Sequence, residues 1–383
     1  MLKHTPLHAA HGRLGARLTG FGGWEMPLQY AGIVEEHLAV RRAAGVFDIS
    51  HMGNFTVTGP GAAAYLDFCL TNDVNRLAIG QGQYTLLCHE AGGVIDDLYL
   101  FRVKPEEFAL VVNAARTSDD WDWLQTQVDR APTRDGFHLR DDSSRFAAVA
   151  VQGPRVRGFM EEVIQGGSIA GMLVSTVLDL RRNQWGTFVF QGGPAGVART
   201  GYTGEDGFEI IIGAEQAEAL LEALLDRGGP HGLQPAGLGA RDTLRTEMGY
   251  PLYGHELDES ISPLEAGLGT FVALDKRAFI GAEALREQQA RGIGRRSIAL
   301  RMIGKTPTPR PGYPVFVPGA DDTPVGRLSS GTSSPSLGCG IGLALVPVAH
   351  RAVGTRLNVG IRNRLYPAEV VAKPLYRRPA SPG

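Results

Sequence analysis

At 383 residues the chain exceeds what one hydrophobic core usually organises, so two or three domains are expected. Apolar residues make up 43% and charged residues 20%, the range of globular proteins, which excludes a disordered chain. A formal charge of −2, from 38 basic and 40 acidic side chains, gives no electrostatic draw to nucleic acid or to an anionic membrane, and neither is expected as a partner.

The elements follow from periodicity and punctuation. Residues 54–58 alternate and stop at Gly59-Pro60, which predicts a strand. A helix is expected over 62–70. The apolar runs 98–103 and 108–112 are long enough only for strands, and Lys104-Pro105-Glu106-Glu107 between them predicts a hairpin. Residues 208–212 read as a strand ending at Gly213. Ala217, Leu220, Leu221, Leu224 and Leu225 fall on one face of a helix, which Gly228-Gly229-Pro230 ends. A further helix begins near Ala282, carries Leu285 and stops before Gly292. The charged stretch 286–296 reads as a domain boundary. Beyond residue 291 short strand-like runs at 298–302, 315–317, 343–346 and 369–372 alternate with Gly and Pro, which predicts an all-β C-terminal domain of barrel or jelly-roll type.

Cys69, Cys88 and Cys339 are odd in number and widely spaced, so neither a disulfide framework nor a CxxC metal site is expected, and the usage suits a reducing cytoplasm. Met1-Leu2-Lys3-His4-Thr5-Pro6-Leu7 lacks the apolar core of a signal peptide, and no apolar stretch is long enough to span a bilayer. A cytoplasmic location is therefore the expectation.

Four constellations carry possible chemistry. In Gly92-Gly93-Val94-Ile95-Asp96-Asp97-Leu98 a Gly pair precedes two carboxylates that, in a strand, point to opposite faces. Either one faces a cavity while the other caps the turn, or both are turn residues, which spacing alone favours. The second is Arg199-Thr200-Gly201-Tyr202-Thr203-Gly204-Glu205-Asp206-Gly207-Phe208-Glu209. Its glycines allow close approach of the backbone to a ligand. Glu209 lies inside an apolar strand and wants a partner with two parallel N–H donors, either a heteroaromatic edge such as that of a pterin or an arginine of the protein. The third is Gly237 to Arg245, where Arg241 either enters a site or joins a salt-bridged helix with Asp242, Arg245 and Glu247. The fourth, His255-Glu256-Leu257-Asp258-Glu259, lacks HExxH spacing and a second His, so no metal is expected there. His51, beside a turn, reads as structural. No Walker loop, GxGxxG dinucleotide fingerprint or GxSxG elbow is present.

Taken in order, several motifs resemble those of the folate-dependent aminomethyltransferase family, the T-protein of the glycine cleavage system. They are Thr5-Pro6-Leu7, Phe21-Gly22-Gly23-Trp24-Glu25-Met26-Pro27, Phe47-Asp48-Ile49-Ser50-His51-Met52-Gly53, Thr71-Asn72-Asp73, the Gly92 and Gly201 segments, Val151-Gln152-Gly153-Pro154, Gly237 to Asp242, Thr332 to Gly338, and Lys373-Pro374-Leu375-Tyr376. The resemblance covers nearly the whole chain. It implies an α+β fold of three domains in a cloverleaf around a central folate-binding opening. The expected bounds are 1–53 plus 143–241 for a discontinuous first domain, 54–142 plus 242–290 for the second, and 291–383 for the C-terminal β domain. It implies release of ammonia from an aminomethyl-lipoyl carrier, the H-protein, with transfer of the one-carbon unit to tetrahydrofolate as co-substrate and no metal or redox group. It further implies that Asp97 is the acid beside the folate N5, that Glu209 accepts from the pterin edge, and that Tyr202, Arg241, Tyr84 and Asn113 line the same site. The alternatives are a related folate-dependent demethylase and a non-catalytic folate-binding iron–sulfur assembly factor; no cysteine here lies in the Lys-Gly-Cys-Tyr context of the latter.

Overall fold

A computed structural model describes residues 1–132, 136–276, 278–320 and 322–378. The last five residues of the expected C-terminal domain, 379–383, lie outside them. The chain divides into two compact units. The first holds Met1–Cys88, Ile95–Arg241 and Phe271–Ala282; the second holds His89–Val94, Asp242–Thr270 and Glu283–Gly383.

The first unit contains two large sheets. In the seven-stranded sheet the order is Ala170–Gly171, Trp185–Phe190, Gly193–Ala198, Gly207–Gly213, Phe146–Gln152, Ala44–Asp48 and Leu233–Pro235. All neighbours are antiparallel except the last pair, Ala44–Asp48 with Leu233–Pro235. Six of the seven residues of Phe146–Gln152 are buried, which explains why this central strand reads as an unbroken apolar run. Helix Ala217–Gly228 lays Leu220, Leu221 and Leu224 into the core formed with Phe188, Phe208 and Ile210. Each such side chain contributes about 1.5–3 kcal/mol by leaving water.

In the five-stranded sheet the order is Gly82–Cys88, Val94–Lys104, Glu107–Val112, Gly53–Thr58 and His138–Asp141. The expected hairpin is there, antiparallel, with Leu100 opposite Leu110 and an irregularity before Lys104. Helices Ala62–Cys69 and Thr117–Gln127 contribute Tyr65, Leu66 and Leu124 to the core with Phe55, Leu100 and Phe108. Phe101 meets Trp185 at 5.1 Å, which joins the two sheets within this unit. Gly196 is required for that contact, since a Cβ there would stand 2.1 Å from the Trp185 ring.

The second unit contains a closed antiparallel barrel: Arg295–Met302, Cys339–Pro347, Gly326–Ser334, Pro314–Phe316, Arg356–Ile361 and Arg364–Val371. Leu300, Val315, Leu328, Leu357 and Val359 fill it. This is the all-β C-terminal domain expected from sequence, and closure leaves no exposed sheet edge. The charged stretch 286–296 differs from a plain boundary: helix Ala282–Arg291 runs through its first half and the first barrel strand begins at Arg295. Among the described residues no helix is long and apolar enough to cross a membrane.

Candidate functional site

The aspartate pair lies inside strand Val94–Lys104, not in the turn that spacing favoured. The turn is completed by Gly92, whose φ is +85°, and by Gly93, where a Cβ would stand 1.8 Å from the Glu259 carbonyl oxygen. Alternation of the strand then sends Asp96 and Asp97 to opposite faces. Asp96 is fully buried and Asp97 half-buried. Asn113, just past Glu107–Val112 on the neighbouring strand, serves both. Its backbone N–H donates to Asp96 Oδ2 at 3.0 Å, and its Nδ2 donates to Asp96 Oδ1 at 2.9 Å and to Asp97 Oδ1 at 3.0 Å. From strand Gly82–Cys88 the Tyr84 hydroxyl donates to Asp97 Oδ2 at 2.8 Å. Tyr84 is fixed edge-on against Phe271, centroids 4.8 Å apart.

Burial raises the Asp97 pKa to about 7, with the Asp96 charge adding to the rise and the Tyr84 and Asn113 hydrogen bonds opposing it. Burial, then the Asp97 charge, holds the Tyr84 phenol well above its ordinary range, so it stays a donor. A carboxyl poised near neutrality, held by one side-chain donor on a strand and one at a strand's end, can accept or release a proton at working pH.

A second group forms around Glu209. Of the three acids in the Gly201 to Glu209 segment, two are already paired. Arg41 Nη1 donates to Glu205 Oε1 at 2.9 Å and to the Thr203 carbonyl at 2.7 Å. Arg199 grips Asp206 through two nitrogens at 2.9 and 2.6 Å. Glu209 sits on strand Gly207–Gly213 opposite Ala198 and Ala150, small neighbours that leave it room. Its Oε2 accepts from the Thr200 hydroxyl. The glycines here serve packing: a Cβ at Gly201 or Gly207 would strike the Gln152 side chain at 1.9 or 2.4 Å, and Gln152 in turn donates to the Thr200 carbonyl and accepts from the Thr203 hydroxyl.

The Arg241 guanidinium lies 4.7 Å from the Tyr202 ring centroid. Burial lowers its pKa and the Glu209 charge opposes the fall. Its Nη1 is buried and has no hydrogen-bond partner among the described residues. Tyr202 also adds to the rise of the Tyr84 pKa, so the two groups belong to one electrostatic neighbourhood. Asp97, Tyr84, Asn113, Tyr202, Glu209 and Arg241 all lie in the first unit. Thr200 lies in the segment that sequence singles out but is given no role there, and Phe271 and Asp120 are not singled out. Asp120 shares a helix face with Leu124 and Gln127, a spacing that marks it as inward-facing.

The expected salt bridge of Asp242 with Arg245 is there, while Glu247 accepts from the Ser334 and Ser336 hydroxyls. Arg245 binds Asp242 Oδ1 through Nη2 at 2.6 Å, Glu256 Oε2 through Nη1 at 2.9 Å and the Ser330 hydroxyl at 2.7 Å. Glu256 is thereby a structural acid, and His255 contacts the Ser329 carbonyl. His51 is buried and pushed down to about 4 by desolvation, hence neutral. Among the described residues one group has metal-like composition, His4, His8 and Glu25. The two imidazoles are stacked parallel at 3.8 Å, so an ion shared between them would lie half that separation out of either ring plane, where no nitrogen lone pair points. Both Nε2 atoms instead face Glu25 Oε2, at 3.4 and 2.7 Å.

Comparison with known proteins identifies the family. Residues 7–276 match the family described as GCVT N-terminal domain, and residues 295–377 the family described as glycine cleavage T-protein C-terminal barrel domain. An aminomethyltransferase of Symbiobacterium thermophilum is 48% identical over 99% of this chain and 98% of its own length. One of Geobacillus kaustophilus is 45% identical over 99% of this chain and all of its own. The crystal structure of glycine cleavage system aminomethyltransferase T from Bartonella henselae superposes with a TM-score of 0.88, at 32% identity and 98% coverage of each chain. The chain belongs to the aminomethyltransferase family, the T-proteins of the glycine cleavage system.

Proposed function

We propose that this chain releases ammonia from an aminomethyl-lipoyl carrier protein and transfers the one-carbon unit to tetrahydrofolate, giving 5,10-methylenetetrahydrofolate. The observation that carries the reading is the pairing, in one unit, of a carboxyl poised near neutrality with a carboxylate and a guanidinium that have hydrogen-bonding capacity to spare. Glu209 accepts from Thr200 and has further lone pairs, and Arg241 Nη1 is a buried donor without an acceptor among the described residues. A buried donor left unmet is costly, and a flat ring with donors and acceptors along one edge satisfies both groups at once.

In this reading Glu209 accepts from the amino and ring N–H groups of the pterin, Tyr202 lines the ring, and Arg241 donates to an acceptor of the same ligand. Tyr84 and Asn113 hold Asp97 in place beside the reacting nitrogens. Ionised Asp97 stabilises the positive charge that develops there, and its neutral form returns a proton to a departing group. The folate and the carrier supply the reactive carbon and sulfur; the chain supplies position and charge. The lipoylated H-protein is the partner this chemistry requires. The three-domain reading of the sequence draws support from the two sheets and the barrel, each of which has a hydrophobic core of its own.

Titration of the protein with tetrahydrofolate in a calorimeter tests the ligand half of the proposal. Wild type is expected to bind, and Glu209→Gln, which replaces acceptor lone pairs by an N–H group facing donors, to bind at least about tenfold more weakly. Equal affinity in the two proteins contradicts the role of Glu209.

A further inference from the structure

Asp120 stands on helix Thr117–Gln127, beside Asp96 and outside the mechanism described above. It is fully buried. No donor among the described residues reaches either of its carboxyl oxygens, so the helix N-terminus does not cap it. What the Asp120 carboxyl meets is the carboxyl of Asp96, also fully buried. Two carboxylates cannot touch in an apolar interior with both charged; one of them carries a proton and donates it to the other. Asp96 already accepts two hydrogen bonds from Asn113, which favour its ionised form, whereas Asp120 has no donor of its own. The proton therefore resides on Asp120.

We infer that Asp120 is a protonated positioning residue, whose carboxyl O–H donates to Asp96 and keeps Asp96 ionised and fixed against Asn113, the residue that orients Asp97. The chain of contacts runs Asp120, Asp96, Asn113, Asp97, Tyr84, with one negative charge held permanently behind Asp97. That charge is one of the causes that push the Asp97 pKa toward neutrality. The charged and titratable groups facing this chain are few. Asp120 faces Asp96, Arg116 and Asp119, and the last two are paired at 2.8 Å. Burial, with the Asp96 charge adding to it, pushes Asp120 up to about 11; Arg116 opposes the rise. Asp97 faces Asp96 and Tyr84.

The inference about the proton rests on the burial of both carboxyls, the Asn113 bonds to Asp96 and the lack of any donor to Asp120 among the described residues; its consequence for turnover rests on the assignment of Asp97 as the reacting acid. Two measurements separate them. Infrared spectra of the ligand-free protein at pH 9, where Asp97 is ionised, are expected to retain the carbonyl stretch of a protonated buried carboxyl, and Asp120→Asn to lose it. Absence of that band in wild type, or its persistence in Asp120→Asn, overturns the proposal whatever the enzyme does. The second measurement is the pH profile of kcat/KM. Asp120→Asn keeps a donor to Asp96 and is expected to leave the acid limb in place. Asp120→Leu has no donor, so Asp96 takes up a proton, its charge is lost, and the acid limb moves to lower pH with kcat about tenfold down. An Asp120→Asn profile shifted as far as that of Asp120→Leu, or an unshifted Asp120→Leu, overturns the positioning role. If the infrared result holds and wild type shows no folate-dependent turnover, the proton assignment survives and the proposed function fails.

Discussion

Asp97 is held in a state that costs the fold, and the proposed reaction makes use of it. Desolvation and the neighbouring Asp96 raise its pKa from 3.8 to about 7, so between those values the native state keeps a proton that the unfolded chain has lost. Stability carried by this group is therefore complete at low pH and is lost as pH rises through about 7. Asp97→Asn preserves the shape and removes the charge. It is expected to lower kcat by about 10²–10³-fold and to raise the Tm at pH 8 by about 2–4 °C, with a smaller gain at pH 5. Unchanged turnover removes Asp97 from the mechanism. Tyr84 donates to the ionised form, so Tyr84→Phe is expected to move the acid limb of kcat/KM to higher pH, and a shift to lower pH contradicts the account. Sequence singled out Asp97, but spacing alone favoured a turn for it, because the buried partners that let two acids stand inside a strand come from residues 84, 113 and 120. Such contacts between distant positions leave no local pattern. Glu209 was more legible, since an acid inside an apolar strand announces that it needs a partner.

The elements read well wherever one face is apolar. Helix Ala217–Gly228 and the hairpin of Val94–Lys104 with Glu107–Val112 follow from periodicity and punctuation. Barrel strand Gly326–Ser334 did not, because its sequence, GRLSSGTSS, is small and polar with no alternation, and it is stabilised by its neighbour Cys339–Pro347. For Arg245 the pairing with Asp242 was legible from helical spacing, but its reach to Glu256 and Ser330 was not. It is almost wholly buried and joins Asp242, Glu256 and the Ser330 hydroxyl, so a loop acid and a barrel strand are fixed by one guanidinium. Arg245→Met leaves Glu256 buried without that partner and is expected to destabilise the protein by about 3–5 kcal/mol. Denaturant unfolding checks this; a loss below 1 kcal/mol would mean that the network adds little.

At the scale of the whole molecule, motif order along 383 residues gave the family, because each segment is weak alone and their sequence is specific. Composition and charge excluded classes of function without choosing one. The architecture within each unit, two sheets in the first and a closed barrel in the second, fits that family, and the first unit brings Tyr84, Asp97, Asn113, Tyr202, Glu209 and Arg241 into one electrostatic neighbourhood. Ammonia release from aminomethylated lipoyl carrier protein, with and without tetrahydrofolate, decides whether the proposed reaction occurs. The account predicts rapid release that depends on folate, matched by methylenetetrahydrofolate and lost in Asp97→Asn. Folate binding without ammonia release, or release indifferent to Asp97, would contradict it.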